Sequence, residues 1–220
     1  MKISLWQSTK TVARQSQNWK CGIYTGLLNT PIFVLAALWG NLYVSQAYGF
    51  SLQQSASITS MIFIGEIVGA PIVGWISDKL NSRKPPMIIG ALLSLVVMMA
   101  IIYIPRHTGF DLSILFLLLG FAISSQVISY PTTAESNNPS IISSAMGFVS
   151  LLSNLLGAVL QIIFGWILNL GWNGALLNNV ALYSLENYKN ALIVLLIGFV
   201  ISFVCAALIK ETYCKSISSK

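Results

Sequence analysis

The sequence predicts an all-α integral membrane protein built as a bundle of six transmembrane helices. The chain is 55% hydrophobic and only 8% charged, whereas an average soluble domain carries about 25% charged residues. Six stretches have roughly the 20 apolar residues that a helix needs to cross a bilayer. They contain a single charged residue, Glu66. Runs such as residues 92–99 do not alternate polar and apolar residues as the strands of a membrane barrel do.

The N-terminal segment, residues 1–20, is interrupted throughout by polar and charged residues and lacks the apolar core of a signal peptide. We therefore expect it to be retained as an interfacial or cytoplasmic helix. Its tryptophans, Trp6 and Trp19, suit the headgroup boundary of a membrane.

The six spans follow this segment, and a short tail, residues 210–220, ends the chain. The predicted spans are residues 21–44, 55–76, 87–104, 112–130, 141–168 and 191–209. Most of the loops between them are short, which predicts antiparallel neighbours in one compact bundle. Gly65 and Gly69 predict a close helix contact in the second span. Pro31 and Pro71 lie inside spans, where proline can bend a helix.

Basic residues predict the orientation, because Lys and Arg are retained on the cytoplasmic side during insertion. One face holds ten of the twelve: Lys2, Lys10, Arg14, Lys20, Lys79, Arg83, Lys84, Lys210, Lys215 and Lys220. The other face has Arg106 and Lys189. This distribution places both termini in the cytoplasm, in a plasma or inner cell membrane.

Several functional classes are disfavoured by the composition. The net charge of +6 follows from the topology, and no basic cluster alternates with aromatic residues on a soluble module. The single histidine, His107, has Asp111 nearby but no thiolate beside it. Metalloprotease, serine-hydrolase and P-loop motifs are missing from the sequence. We expect no nucleic-acid partner, no metal, no cofactor and no enzymatic activity.

The loop between the second and third spans resembles the cytoplasmic loop motif of the major facilitator superfamily, G-x-x-x-D-R/K-x-G-R-R/K. The matching residues are Gly74, Asp78, Lys79, Arg83 and Lys84. Asn81 replaces the usual glycine, and asparagine tolerates the left-handed backbone of a tight turn. Ser82 replaces a frequent arginine and removes one positive charge. Segments 38–40, 69–71, 135–139 and 145–148 carry a weaker resemblance to the same superfamily.

This resemblance implies that the chain is the C-terminal half of a secondary transporter, helices seven to twelve of twelve. Two such halves rock about a site at the middle of the membrane. Helices seven, eight, ten and eleven of the family line the cavity, and helices nine and twelve face lipid. Asp78 would accept from Arg83 and help to hold the cytoplasmic gate shut. Small polar solutes are the expected cargo: amino acids, peptides, organic anions or sugars.

Glu66 is the strongest candidate for coupling transport to protons, because an ionised carboxylate in the middle of a span is costly without water, a partner or a proton. The alternative is a protonated or hydrogen-bonded Glu66 that only joins helices. Other polar or aromatic candidates for the solute site lie near the middle of cavity-lining spans: Asn29, Trp39, Gln126, Asn154 and Gln161.

Three classes of protein fit these observations. The first is half of a secondary transporter whose N-terminal six-helix half is supplied by another segment or chain. The second is a six-helix protein that dimerises into a complete carrier. The third class, a membrane enzyme, fits these observations least well. A half from a truncated or split gene would be inactive alone or would act only by assembling with another chain.

Overall fold

The computed structural model describes residues 5–104, 107–177 and 180–216. Three basic residues used to predict the orientation, Lys2, Arg106 and Lys220, lie outside the described residues.

Helices dominate the structure, and most are long. They are α1 (Leu5–Arg14), α2 (Ser16–Pro31), α3 (Gly40–Tyr48), α4 (Leu52–Lys79), α5 (Lys84–Tyr103), α6 (Gly109–Ile123), α7 (Ser129–Glu135), α8 (Ile142–Leu170) and α9 (Leu185–Leu208). A π-helical segment (Ile32–Trp39) joins α2 to α3, and a 3-10 segment (Ser124–Ile128) joins α6 to α7. A single 3-10 turn (Pro139–Ile141) precedes α8.

Six continuous helical stretches of the described chain are long and apolar enough to cross a membrane. They are Ser16–Tyr48, Leu52–Lys79, Lys84–Tyr103, Gly109–Glu135, Pro139–Leu170 and Leu185–Leu208, the first to sixth spans below. The predicted six-helix fold is therefore confirmed.

Polar caps extend several spans beyond their apolar stretches. Ser51 accepts from the backbone N–H of Gln54, and the Gln54 side chain accepts from the backbone of Ser51, so α4 begins with a reciprocal capping box. Thr108 and Asp111 form the same arrangement at the start of α6. Ser184 caps α9, which begins six residues before the apolar stretch 191–209. Apolar length alone does not detect these polar first turns.

The helices α4 and α6 approach each other closely. A Cβ added at Gly65 would lie 2.1 Å from the carbonyl oxygen of Leu117, and one added at Gly120 would lie 2.1 Å from that of Ile62. Glycine is needed on both helices because backbone atoms occupy the side-chain space. Elsewhere, α2 packs against α8 and α9, and α5 packs against α9.

The two ends of the bundle differ. At one, called the motif end, lie the α4–α5 turn, the start of α8 and the tail after α9. At the other, called the hairpin end, β1 (Leu176–Leu177) pairs antiparallel with β2 (Val180–Ala181) between α8 and α9.

The amphipathic helix α1 lies against the start of α8 at the motif end. Its buried Val12 belongs to a small apolar cluster with Ile141 and Ala145, and Phe148 packs against it. Trp6 is 78% exposed on α1. This geometry suits the interfacial helix that the sequence predicts.

Candidate functional site

The acidic candidate Glu66 lies on α4, one residue after the close contact at Gly65. Its carboxylate oxygen Oε1 accepts from Nε2 of Gln126 at 3.2 Å, and both side chains are half-buried. Gln126 lies in the 3-10 segment that interrupts the fourth span. Its own oxygen, Oε1, is buried and has no hydrogen-bond partner in the described part of the chain. Two of the sequence candidates are thus in direct contact, with one amide acceptor left over.

The first span is irregular between Asn29 and Trp39. Pro31 ends α2, and eight residues of π-helix follow before α3. Such segments are rare in proteins and are often found at functional sites. Asn29 donates weakly to Oγ of Ser153 on α8, at 3.5 Å, while its buried oxygen has no partner among the described residues.

Trp39 marks the hairpin end of this irregular segment. Its ring packs against Phe164 of α8 and against Tyr183, with centroid distances of 5.9 and 6.5 Å. The indole nitrogen Nε1 is buried and lacks a hydrogen-bond partner within the described chain.

The two candidates on α8 are placed differently. Asn154 is exposed and donates to the carbonyl of Ser150 in its own helix, at 2.8 Å. Gln161 is half-buried. None of the hydrogen bonds found among the described residues joins either side chain to Glu66, Gln126, Asn29 or Trp39.

At the motif end, Arg83 is held by two carboxylates. Its NH1 atom lies 2.6 Å from Oδ1 of Asp78, and its NH2 atom lies 2.6 Å from Oε1 of Glu135, at the end of α7. NH1 also donates to the hydroxyl of Ser77 at 3.1 Å. Asn81 has a φ of 48°, the left-handed backbone that this turn requires. Burial disfavours the charged guanidinium, but the hydrogen bonds to Glu135 and Asp78 outweigh it and raise the pKa of Arg83.

Lys79 and Lys84 do not join this ion-pair cluster. The Nζ atom of Lys79 lies 4.8 Å from the ring centroid of Trp75. The backbone N–H of Lys84 donates to Oε2 of Glu211 at 2.9 Å. Gly74 faces open space. A Cβ added there would have none of the described atoms within 4 Å, its chain neighbours and its own helix backbone aside.

Glu211, in the tail after α9, is a participant that the sequence reasoning missed. It accepts from the Ser82 hydroxyl at 2.6 Å and from the backbone N–H of Arg83 at 2.8 Å, at the N-terminus of α5. Burial disfavours the charge, but the hydrogen bonds from Ser82 and from backbone N–H groups prevail and lower the pKa of Glu211 to about 2. Thr212, next to it, donates to Oε2 of Glu135. A carboxylate directly after the last span of a chain with only six acidic residues was the available signal.

The six spans, the acidic residue inside one of them and the charged turn at one end define a class: a polytopic helical membrane protein built like half of a secondary transporter. The sequence profile of the Major Facilitator Superfamily matches residues 21–209. The chain belongs to this family.

Several curated proteins are similar to this chain. The membrane sensor protein UhpC of Escherichia coli strain K12 is 34% identical over 136 residues, which cover 58% of this chain and 29% of that protein. UhpC of Salmonella typhimurium is 30% identical over 131 residues, with the same coverage. The glucose-6-phosphate exchanger SLC37A2 of Bos taurus is 26% identical over 145 residues, which cover 61% of this chain and 29% of the exchanger. The aligned part of the chain thus spans less than a third of these relatives.

Proposed function

We propose that this chain forms the solute-binding half of a proton-coupled secondary carrier that moves a small polar solute by alternating access. The observation that carries the proposal is the contact of Glu66 with Gln126 inside the membrane-spanning region. A carboxylate at that depth is costly unless it binds a proton, a cation or a polar partner. An interrupted helix beside it is typical of the binding sites of secondary transporters.

For the solute we propose a sugar phosphate or a related organic anion, with sugars, amino acids and peptides as broader alternatives. Support comes from the bovine relative, whose name describes a glucose-6-phosphate exchanger. Unpaired polar atoms of Asn29, Trp39 and Gln126 offer hydrogen bonds to such a solute. Proton-driven uptake and solute exchange are distinguished by whether a pH gradient is needed.

A second candidate function is solute sensing without net transport. Two of the similar proteins are named membrane sensor proteins. The same site would then bind a solute and change conformation without releasing it on the opposite side.

The charged turn at the motif end fits a cytoplasmic gate in either case. We propose the orientation that the basic residues indicate, with both termini in the cytoplasm of a cell membrane. Arg83 joins α4, α5 and α7 through Ser77, Asp78 and Glu135. Opening this end requires these contacts to move together or to break.

A carrier needs two six-helix units around its central site. We propose that the second is an N-terminal half in the same or another polypeptide, and the alternative is a second copy of this chain. On either account, the isolated half is inactive or acts only after assembly.

The decisive experiment is uptake of labelled glucose 6-phosphate into proteoliposomes that contain the assembled protein, with and without a pH gradient. Uptake that requires the gradient supports a proton-coupled carrier. Exchange without a gradient contradicts proton coupling and keeps the transport function. Saturable binding without uptake supports the sensor, and absence of both contradicts the proposed solute class.

A further inference from the structure

Gln46 of α3 is a bridge between the first span and the segment that leads into α9. Its Nε2 donates to the carbonyl of Ala181 at 3.0 Å. Its Oε1 accepts from the backbone N–H of Tyr183 at 3.1 Å and from the hydroxyl of Tyr188 at 2.8 Å. One amide side chain thus makes three hydrogen bonds to a part of the chain more than 130 residues away.

These contacts determine where Tyr183 lies. Its hydroxyl donates to Oδ1 of Asn169 at 2.7 Å, so the side chain is held at its tip while Gln46 holds its backbone. The ring meets Trp39 edge-on, with a 73° interplanar angle, and packs against Tyr188 with a centroid distance of 5.9 Å. Tyr183 is buried, although Leu176 and Val180 of the preceding hairpin are exposed.

The indole N–H of Trp39, in the ring that packs against Tyr183, is the unpaired group nearby. It is a donor only and cannot accept a hydrogen bond. It is buried without a partner in the described residues, and a buried donor is costly unless it finds an acceptor. An oxygen atom of a bound solute would supply that acceptor.

We propose that Gln46 is a positioning residue of the solute site: it holds Tyr183 against Trp39, whose indole N–H donates to a hydroxyl, carbonyl or phosphate oxygen of the solute. The inference deepens the function proposed above and rests on it. Gln46 itself does not touch the solute. The segment around Tyr183 completes the site at the hairpin end, while Glu66 and Gln126 lie on other spans.

Quenching of Trp39 fluorescence by acrylamide tests the positioning role. The chain has six tryptophans, so a protein that retains only Trp39, with phenylalanine at the other five, gives a single reporter. Gln46→Leu removes all three hydrogen bonds, and we expect the quenching constant to rise about twofold. Gln46→Glu keeps the acceptor oxygens but loses the donor to Ala181, so its value should lie between the two.

Two controls separate this effect from general loosening. Gln53→Leu changes an exposed glutamine at the same end and should leave Trp39 unchanged. A protein that retains only Trp75, near the motif end, should show no response to Gln46→Leu. An equal rise at Trp75, or no rise at Trp39, overturns the positioning role.

Glucose 6-phosphate and glucose are the probes for the solute contact. In the assembled carrier, with Trp39 as its only tryptophan, we expect at least one of them to protect Trp39 from acrylamide, and Gln46→Leu to weaken that protection severalfold. Absence of protection by both overturns the donor role of Trp39. Uptake distinguishes the two proposals. A quenching change in Gln46→Leu without solute binding or uptake by the assembled protein contradicts the carrier. Uptake without a quenching change in Gln46→Leu contradicts the role of Gln46.

Discussion

Arg83 is an almost buried cation whose stability depends on the carboxylates that face it. Its side chain is 8% exposed, that of Glu135 is 13% exposed, and that of Asp78 is 67% exposed. The pair with Glu135 is therefore the more shielded from solvent, and the pair with Asp78 contributes less. Removing one member of a buried pair leaves the other charge without compensation.

Substitution of Arg83 should therefore destabilise the motif end. We expect Arg83→Gln to lower the free energy of unfolding by about 3 kcal/mol, and Arg83→Lys to have a smaller effect because it keeps the charge but loses the planar fork. Chemical unfolding in detergent measures both. Lys10→Gln, at an exposed position of α1, is the control. Equal stability of Arg83→Gln and wild type would contradict this role.

Glu66 offers a sharper test of coupling. Glu66→Gln preserves the size of the side chain and its ability to hydrogen-bond with Gln126, but it cannot exchange a proton. In the assembled transporter we expect normal expression and loss of accumulation driven by a pH gradient. Glu186→Gln, at an exposed site in the first turn of α9, should transport normally. Undiminished accumulation by Glu66→Gln would remove Glu66 from the mechanism.

Residues close in sequence were the more predictable part of the site. Asp78 and Arg83 are five residues apart in a recognisable loop motif, and the structure pairs them. Glu211 meets the same turn from 128 residues away, through a tail whose path depends on how α9 packs. Hydropathy reports which residues enter a membrane, but it does not report where a tail folds back. The sequence shows a carboxylate just after the last span, but only the three-dimensional structure shows that Glu211 caps α5.

At the scale of elements, the apolar sequence concealed two irregular segments. Residues 32–39 read as an uninterrupted apolar helix, and only Pro31 signals a change there. The part of the span before the π-helix packs mainly against α8 and α9, and the part after it packs mainly against α4. The 3-10 segment Ser124–Ile128 also lies within a predicted span. The apolar sequence indicates that a span is present, but it does not predict such changes of helix type.

The contact between α4 and α6 yields a prediction with a matched control. Gly65→Ala places a methyl group on the backbone of Leu117, where no side chain can rotate away, so the helices must separate. We expect a loss of about 2 kcal/mol in the free energy of unfolding. Gly147→Ala, in α8, meets open space and should be neutral or slightly stabilising. If both variants unfold at the same denaturant concentration, the close contact is not important for stability.

The tail after α9 should show a distinctive pH dependence. Glu211 has a pKa lowered from 4.5 to about 2, so its contribution is complete above pH 4.5 and is lost as the pH falls towards 2. We expect Glu211→Gln to lower the melting temperature at pH 7, with the difference from wild type shrinking at pH 3. Glu186→Gln should show no such trend. A difference that is independent of pH would mean that the carboxylate charge is not what holds the tail.

At the scale of the whole molecule, the spans are buried to very different extents. Only 28% of the most apolar part of the second span, and the same share of the fifth, is buried, compared with 61% in the first. Hydropathy does not distinguish a buried span from an exposed one, because lipid and protein interiors are both apolar. The sequence therefore predicted six helices correctly, whereas the faces that a partner would cover emerge from packing alone.

The exposed faces of α4 and α8 lead to the last prediction, that the second six-helix unit covers them. Ile67 on α4 and Ile162 on α8 are 72% and 73% exposed, and Ile197 on α9 is 55% exposed. We expect spin labels at Ile67→Cys and Ile162→Cys, with Cys21, Cys205 and Cys214 replaced, to lose mobility when the carrier assembles. A label at Ile197→Cys should remain mobile, because we expect α9 to take the place of a lipid-facing helix of the family. If the labels lose mobility when the chain alone is concentrated in lipid, the partner is a second copy. If the loss requires another six-helix polypeptide, the partner is a separate half. Labels that stay mobile in a transporting assembly would place the interface on a different face of the bundle.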